Sequence, residues 1–377
     1  MRITRVRAKN FRALGDIDLS LPPFAVLIGP NGAGKSTILE LLHLFAGIET
    51  PKHFSNSFAR WGGFSATVYY GAREPVMSMG ITGSEEDVHW EYNVQFRAER
   101  GSFFVQTERF SRETFGSSKP ILRRDDTQVT ISSKKTQGTG GVNHDRELQL
   151  VQLREPIPEV EPIIAAFKRT SLWQTHRFLP SDRVRAPQQL QPTVMPAPDG
   201  GDLFSSLYAL RSERRGSYLD LLETLRSAVP ELEELEFPLA GAGHVNMLWK
   251  QAGYTQPFYS NQLADGTLRL LWIVTILHTV PDDGLVLIDE PELSLHPQWL
   301  MLLVSLLRKT SARTNILVAT QSAELLRWLK PEELVIADAT DNGTVFTHAT
   351  SKPDLPKWLE DFTLSDLWTM GELGGCR

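Results

Sequence analysis

The stretch Gly29–Thr37 (GPNGAGKST) decides the fold of this chain. It fits the pattern G-x-x-x-x-G-K-[ST] without a mismatch. An apolar run at 25–28 precedes it and predicts a strand, and the apolar segment 36–46 that follows predicts a buried helix. Glycines let backbone N–H groups converge on a phosphate, and a helix start adds partial positive charge. The order strand, glycine-rich turn, helix therefore predicts an α/β fold with a phosphate-binding loop. The candidate phosphate-binding residues are Asn31, Gly32, Ala33, Gly34, Lys35, Ser36 and Thr37.

Two side chains of this loop have distinct predicted roles. Lys35 would reach the β- and γ-phosphates of a nucleotide, and the Ser36 hydroxyl would bind Mg²⁺. The alternative is a glycine-rich turn that binds nothing, which the flanking strand and helix disfavour. The predicted cofactors are ATP and Mg²⁺.

A second motif is Leu285–Glu290 (LVLIDE), four apolar residues followed by two carboxylates. A buried strand that ends in acids places them at the edge of an α/β sheet where ligands bind. Asp289 would hold Mg²⁺ through water, and Glu290 would polarise the water that attacks the γ-phosphate. The alternative is an acidic turn after a strand.

The chain alternates between two kinds of pattern. Strands at 285–288, 316–320 and 334–337 alternate with helices at 298–309 and 323–329, which indicates a parallel sheet covered by helices. Val88–Phe96 instead alternates apolar and polar residues, as a half-buried antiparallel strand does. Companion strands are expected at 66–70, 103–110 and 128–132, and a mobile loop tip at 132–141.

Composition excludes several classes of protein. The 377 residues include 39 Lys or Arg and 45 Asp or Glu, for a net charge of −6. The single cysteine, Cys376, excludes a disulfide framework and a Cys-based zinc site. The longest apolar run, Leu270–Leu277, is too short to span a membrane, and the first residues do not form a secretory signal. We therefore expect a cytoplasmic protein without membrane partners.

The motifs together resemble those of ABC-type head ATPases. The phosphate loop is followed by LADGT (Leu263–Thr267), which resembles the signature LSGGQ, then by IDEPELSLHP (Ile288–Pro297) and ATQS (Ala319–Ser322). Order and spacing are similar to RecF-like and SMC-like heads, and more narrowly to overcoming-lysogenization-defect (OLD-like) bacterial ATPases. Lys9–Arg12 (KNFR) is similar to the start of that group. The resemblance covers both ends of the chain well and its middle poorly.

The resemblance implies a P-loop NTPase fold of the ABC head type in 1–377. Within it we expect a phosphate loop and antiparallel β lobe in 1–185, a Pro/Gly-rich linker in 186–201, a helical signature subdomain in 202–280, and the Walker B half with the tail in 281–377. It also implies a homodimer or higher oligomer that sandwiches nucleotide. Ala264, Asp265 and Gly266 would then lie at the partner's γ-phosphate, and Arg12 near the nucleotide. Alone, LADGT could be a helix start with Asp265 as its cap.

The chain departs from the family pattern at several points. Gln321 stands where the switch residue is often His, and Gln cannot become cationic. The glutamine that usually follows the first lobe is not placed, with Gln95 and Gln106 as unsupported candidates. No coiled coil is present, and no room remains for the nuclease domain of OLD proteins, so an effector is expected to act in trans.

These features predict an Mg-ATP-dependent dimerising ATPase that acts as a nucleic-acid-linked sensor or switch with a separate effector in phage or plasmid defence. RecF-like DNA repair is the nearest alternative. A transporter motor is disfavoured because a clean glutamine loop, switch His and LSGGQ are missing. A non-hydrolysing scaffold would agree with Gln321 and disagree with Glu290.

Some charged segments leave two interpretations open. Five cations in residues 2–12 form one face of a strand, either a DNA-binding patch or a solvated surface. Segment 97–147 has ten basic and seven acidic residues, and DNA contact there is a weaker hypothesis. We expect the Arg183/Arg185 segment to form an interdomain ion pair and the apolar end 364–375 to dock on its own domain or on a partner. His296 could contact another subunit or begin a helix. The cations concerned are Arg2, Arg5, Arg7, Lys9, Arg12, Arg123, Arg124, Lys134 and Lys135.

Overall fold

The computed structural model describes residues 2–48, 50, 52–99, 101–114, 116–133, 137–142, 145–152, 157–178 and 182–374. Two large sheets organise these residues, one of eight antiparallel strands and one of six mostly parallel strands. The strands are β1 Arg2–Phe11, β2 Leu14–Ser20, β3 Phe24–Ile28, β4 Val76–Glu85, β5 Val88–Glu99, β6 Ser102–Thr114, β7 Ser117–Asp125, β8 Gln128–Ser132, β9 Gln137–Gly141, β10 Thr170–Gln174, β11 Gln188–Gln189, β12 Leu232–Glu236, β13 His244–Val245, β14 Leu248–Gln251, β15 Phe258–Tyr259, β16 Leu285–Asp289, β17 Asn315–Thr320, β18 Leu334–Thr340 and β19 Gly343–His348. The helices are α1 Lys35–His43, α2 His53–Arg60, α3 Phe64–Thr67, α4 Gln149–Gln152, α5 Glu161–Lys168, α6 Asp182–Arg185, α7 Leu203–Glu213, α8 Arg215–Ala228, α9 Asp265–Thr279, α10 Leu300–Thr310, α11 Ala323–Leu326, α12 Leu355–Trp358 and α13 Leu364–Met370.

The parallel sheet has the strand order β10-β16-β17-β3-β18-β19. Its first five strands run parallel, as the alternation of strands and helices predicts, and β19 adds an antiparallel edge. Every residue of β3, β16 and β17 is buried. Continuous burial is typical of parallel strands covered on both faces, and it explains why these segments are apolar without alternation.

The antiparallel sheet has the order β2-β1-β4-β5-β6-β7-β8-β9. The alternation in Val88–Phe96 is confirmed, because Trp90, Tyr92, Val94 and Phe96 are buried along β5. Two expectations for neighbouring segments are wrong. Most of 66–70 is not a strand: helix α3 ends at Thr67, and only Val68 makes an isolated bridge to Phe11. Residues 137–141 of the expected loop tip form β9 instead.

Helix α2 packs aromatic rings against one face of this sheet. Phe58 is buried and lies 4.9 Å from Phe103, 5.1 Å from Phe64 and 5.7 Å from Phe96, measured between ring centroids. Edge-to-face contacts of this kind add to the free energy gained by burying the rings. The cluster therefore fixes α2 and α3 against the β lobe.

The second core lies under α7, α8 and α9, with β12, β14 and β15 forming a small sheet beside them. The segment 186–201, expected to be a linker, packs against these helices. The Gln188 side chain is buried, accepts a hydrogen bond from the Phe204 N–H and donates one to the Val184 carbonyl. The domain boundaries themselves stay a prediction.

The apolar C-terminal segment docks on its own chain. Leu364, Leu367 and Leu373 are buried, and α13 packs against α11. Thr363 caps α13 by accepting a hydrogen bond from the Asp366 N–H. Among the described residues, no helix is long and apolar enough to cross a membrane.

Replacing Phe58 by Ala should lower the free energy of unfolding by about 3–5 kcal/mol, because a buried ring is lost and a cavity remains. Denaturant unfolding followed by tryptophan fluorescence measures the change. Tyr70→Ala is the matched control, since Tyr70 is fully exposed and should change stability by about 0.5 kcal/mol or less. Equal losses in the two variants would contradict the assigned aromatic core.

Candidate functional site

The phosphate loop connects β3 to α1 in the conformation that the motif requires. Gly34 has φ of 88°, and a Cβ there would collide with the Thr344 side chain, so only glycine fits. The Lys35 ammonium is buried and donates hydrogen bonds to the carbonyls of Gly29 (2.7 Å) and Pro30 (2.9 Å). These two carbonyls hold the lysine at the mouth of the loop, where a phosphate could replace them as its partner.

Burial lowers the pKa of Lys35, while the nearby carboxylates of Asp289, Glu290 and Glu292 act to raise it. Desolvation of a cation favours its neutral form, and a nearby negative charge opposes that effect. An anionic ligand at this position would therefore be stabilised by a lysine whose own solvation is already reduced.

The register of the parallel sheet brings the second motif to the first. Gln174 of β10 pairs with Asp289 of β16, which in turn pairs with Ala319 of β17. Burial raises the pKa of Asp289, and the nearby side chains of Ser36 and Gln174 act to lower it. A carboxylate, a hydroxyl and an amide oxygen are the hard ligands that Mg²⁺ prefers. The residues present therefore fit this ion, with Asp289 and Ser36 as its predicted ligands.

Gln174 is the functional candidate that the sequence analysis missed. The two glutamines considered there lie elsewhere: Gln95 of β5 accepts a hydrogen bond from Thr107, and Gln106 belongs to β6. The only local signal for Gln174 is the run Thr170–Trp173 before it, which is too short to identify a strand by periodicity. Its place beside Asp289 is set by the sheet.

Glu290 follows β16 in a left-handed conformation with φ of 53°. Strained backbone of this kind is concentrated at functional sites. Its Oε1 accepts a hydrogen bond from the Gln321 amide nitrogen at 2.9 Å. The two predicted catalytic side chains are thus in direct contact, and Gln321 orients Glu290.

A third carboxylate, Glu292, lies behind this pair. It accepts a hydrogen bond from the Thr320 hydroxyl, and its second oxygen is buried without a partner among the described residues. Burial, followed by the charges of Glu290 and Asp289, raises the pKa of Glu292 to about 7. This side chain is therefore close to half protonated at neutral pH.

Arg12 has a positive φ of 49° and forms an ion pair with Glu40 on α1, one turn beyond Ser36. Its guanidinium lies over the Trp61 ring, 5.5 Å from the centroid. The ion pair with Glu40 joins Arg12 to α1, the helix that follows the phosphate loop. Contact of Arg12 with a nucleotide stays a prediction.

The signature turn Ala264–Gly266 starts the long helix α9. Ala264 is the N-cap residue, and Asp265 is the first helical residue, so Asp265 is not the cap. Asp265 instead forms an ion pair with Arg185. Arg183 pairs with Asp199, so this segment forms ion pairs as expected, and whether they join two domains stays a prediction. The turn lies beside residues 294–299, where His296 caps a short helix by accepting from the Gln298 N–H.

Helix α9 also contacts the strand end that bears Gln174. The Arg269 guanidinium donates a hydrogen bond of 2.8 Å to the Thr175 carbonyl and lies 5.8 Å from the Phe178 ring centroid. Phe178 stacks on Trp272 of the same helix. These contacts join the signature helix to the residue that follows Gln174.

The basic segments are largely neutralised. In β1, Arg5 pairs with Asp18, Arg7 with Glu91 and Lys9 with Asp16. The Arg124 side chain is buried and donates to the carbonyls of residues 126, 145 and 147, so it is not a DNA contact. Arg123 pairs with Asp125, and Lys134 and Lys135 lie outside the described residues.

In the part of the chain that is described, no group of three His, Cys, Asp or Glu could hold a metal.

Comparisons with known proteins agree with this geometry. Residues 24–327 match the family model described as "AAA domain, putative AbiEii toxin, Type IV TA system". The chain is 53% identical over 45 residues to the OLD nuclease of Thermus scotoductus (strain ATCC 700910 / SA-01), which is 12% of this chain and 8% of that protein. It is 46% identical over 44 residues to the DNA replication and repair protein RecF of Erwinia tasmaniensis, which is 11% of this chain and 12% of RecF. The chain thus spans about a tenth of the length of the curated relatives it matches.

Among solved structures, an SMC head bound to the C-winged helix domain of ScpA has a TM-score of 0.53 and 14% identity. The likeness covers 92% of this chain and 97% of that one, and it concerns the fold alone. Short segments of this chain are similar to an OLD nuclease and to RecF, and its fold is that of an SMC head. Because the family model matches most of the chain, this protein belongs to the family "AAA domain, putative AbiEii toxin, Type IV TA system".

Proposed function

We propose that this protein is an Mg-ATP-dependent dimerising ATPase that acts as a sensor or switch in nucleic-acid-linked defence against phages or plasmids, with a separately encoded effector protein. It would work in the cytoplasm, as a homodimer or higher oligomer. The observation that supports ATP hydrolysis most directly is the convergence of Lys35, Ser36, Asp289 and Glu290, with Gln321 bonded to Glu290.

In this proposal each side chain has one task. Lys35 exchanges its loop carbonyls for phosphate oxygens, and Ser36 and Asp289 hold Mg²⁺, which would neutralise phosphate charge when bound. Glu290 accepts the proton of the attacking water, and Gln321 keeps its carboxylate in position. Gln174 extends the same polar edge from β10.

The dimer is proposed on two grounds. The signature turn Ala264–Gly266 starts helix α9 and lines a surface recess with residues 294–299. The N–H groups at a helix start attract anions, so this turn would bind a phosphate held by a second copy. The same arrangement of motifs is the one that the resemblance predicts for two heads with nucleotide between them. Opening and closing of this dimer would be the switch.

The defence role is supported by the names of relatives. The matched family is described as "AAA domain, putative AbiEii toxin, Type IV TA system", and one relative is an OLD nuclease. The RecF relative favours a second candidate, a DNA repair ATPase. A direct test separates the two candidates, because one fold can serve many functions.

Glu290→Gln should reduce steady-state ATP hydrolysis by about 10²-fold or more while ATP binding is kept, because the general base is removed. The trapped nucleotide should also increase the dimer fraction in light scattering. Lys35→Ala gives the variant that does not bind ATP, and Glu324→Gln is the matched control on an exposed acid. Hydrolysis by Glu290→Gln at the wild-type rate would show that Glu290 is not the base.

The raised pKa of Glu292 predicts a pH-dependent stability of the nucleotide-free protein. A carboxyl whose pKa is higher in the folded state stabilises it below the unfolded pKa, and this stability is lost as pH rises through about 7. Between pH 5 and 8.5, the wild type should therefore lose up to about 3 kcal/mol more than Glu292→Gln. Urea unfolding at both pH values measures this difference, and parallel pH profiles would contradict the assignment.

DNA should change the ATPase rate less than twofold at moderate salt, because most cations considered for DNA contact are already ion-paired or buried. The measurement is ATP hydrolysis with single-stranded, double-stranded and gapped DNA over a range of salt. Strong stimulation that fades as salt rises would mean that phosphate contacts replace these ion pairs. A preference for gapped DNA would favour the repair candidate.

A further inference from the structure

A cleft of about 490 Å³ lies beside the nucleotide site and is separate from the phosphate loop. Its walls are the end of α1 with the turn after it, helix α2, strand β10 and residues 193–198. None of residues 29–37 lines it, and Gln174 is the residue it shares with the ATP site. The volume is within the range of small-molecule sites.

Strand β10 forms the floor of this cleft. β10 is the edge strand of its sheet, with β16 as its neighbour, and all five of its residues line the cleft. Successive side chains of a strand point to opposite faces, so a cleft that touches all five must follow the strand's open edge. Leu172 packs toward the core around α1, and Trp173 toward the core around α9. A ligand here can therefore bond to the backbone groups that an edge strand leaves unpaired.

The cleft is lined by two arginines and two acids. Arg60 and Arg177 are exposed and have no ion pair within the described residues. Of the acids, Glu40 pairs with Arg12, while Asp202 accepts a hydrogen bond from the Ala197 N–H and has its pKa raised by burial. Burial, then His53, Arg60 and Arg177, lowers the pKa of His43 to about 4, so this imidazole is neutral and adjacent to uncompensated cations.

The walls combine apolar surface with polar groups that lack partners. Leu44, Leu172, Met195 and Trp61 contribute the apolar part. The Ser171 hydroxyl, the Trp173 indole nitrogen and His43 Nδ1 are buried with no hydrogen bond in the described structure. Nearly all buried polar groups are paired in native proteins, so these three atoms, each covered by protein, leave the residues around the cleft incompletely hydrogen-bonded.

We propose that this cleft binds an organic anion with an apolar body and that its occupancy regulates ATP turnover through Gln174. The anionic group lies beside Arg60 and Arg177, and the apolar body lies along β10 against Leu44, Leu172 and Met195. The regulatory half rests on the proposed ATPase function, because Gln174 also lies beside Asp289 in the paired strands β10 and β16.

The probe is the aromatic sulfonate 1-anilinonaphthalene-8-sulfonate, titrated by fluorescence. The wild type should show one saturable site that persists at saturating Mg-ATP. The double variant Arg60→Ala/Arg177→Ala should raise the dissociation constant of the probe at least about tenfold, since two charge-assisted contacts are lost. The matched control is Arg215→Ala/Arg327→Ala, which removes two equally exposed cations outside the cleft and should bind as the wild type does.

Ser57→Phe fills the cleft from α2 and should also abolish the saturable site, with an unchanged thermal midpoint as the check on folding. Loss of bound probe in proportion to the ATP bound would contradict a site separate from the nucleotide site. Equal probe affinity in the two double variants would also contradict it. An ATPase rate that does not change as the probe saturates would overturn the regulatory half. If the wild type hydrolyses no ATP, the proposed function fails, while the titration still decides the site.

Discussion

Strands β10, β16, β17 and β3 are hydrogen-bonded in a register that places the carboxyl ends of all four at one edge of the sheet. Gln174, Asp289 and Thr320 are the last residues of three of them, and the phosphate loop follows the fourth. Because side chains alternate along a strand, a shift of one residue in any of these pairings would turn its polar end away from the others. The site therefore depends on burial of the apolar strands, which fixes the register.

Burial also explains the electrostatics of the site. Lys35, Asp289 and Glu292 lie close together at a sheet edge that is largely dehydrated, and burial disfavours the charged form of each. Burying such ionisable groups costs free energy, and a protein keeps them in place only if the rest of the fold is stable enough to offset that cost. On nucleotide binding Lys35 has only to exchange its two carbonyl partners for phosphate oxygens, and groups held in place in advance are the condition for electrostatic catalysis.

Helix α9 packs in one core with the parallel strands, and two of its side chains reach this edge and the cleft beside it. Arg269 on α9 reaches the Thr175 carbonyl, and Trp272 donates to the Ala197 carbonyl in the wall of the cleft. The signature turn and the cleft are thus both joined to the strand end that bears Gln174. A ligand at the signature turn or in the cleft can alter ATP turnover only if this strand end has two conformations that the ligand binds with different affinity.

The sequence by itself determined the elements whose signal is local. The phosphate loop, the acidic end of β16 and the alternation in β5 are each set by neighbouring residues, because loop geometry, strand burial and side-chain alternation act over a few positions. It also determined the parallel sheet, since strands and helices alternate in order.

Only the tertiary structure decided which distant residues meet. Gln174 lies beside Asp289 because β10 and β16 are adjacent, although more than a hundred residues separate them. The partners that neutralise β1, the ring cluster around Phe58 and the packing of 186–201 are set in the same way. Such contacts depend on complementary shape and charge between remote segments, and no local pattern in a single sequence contains that information.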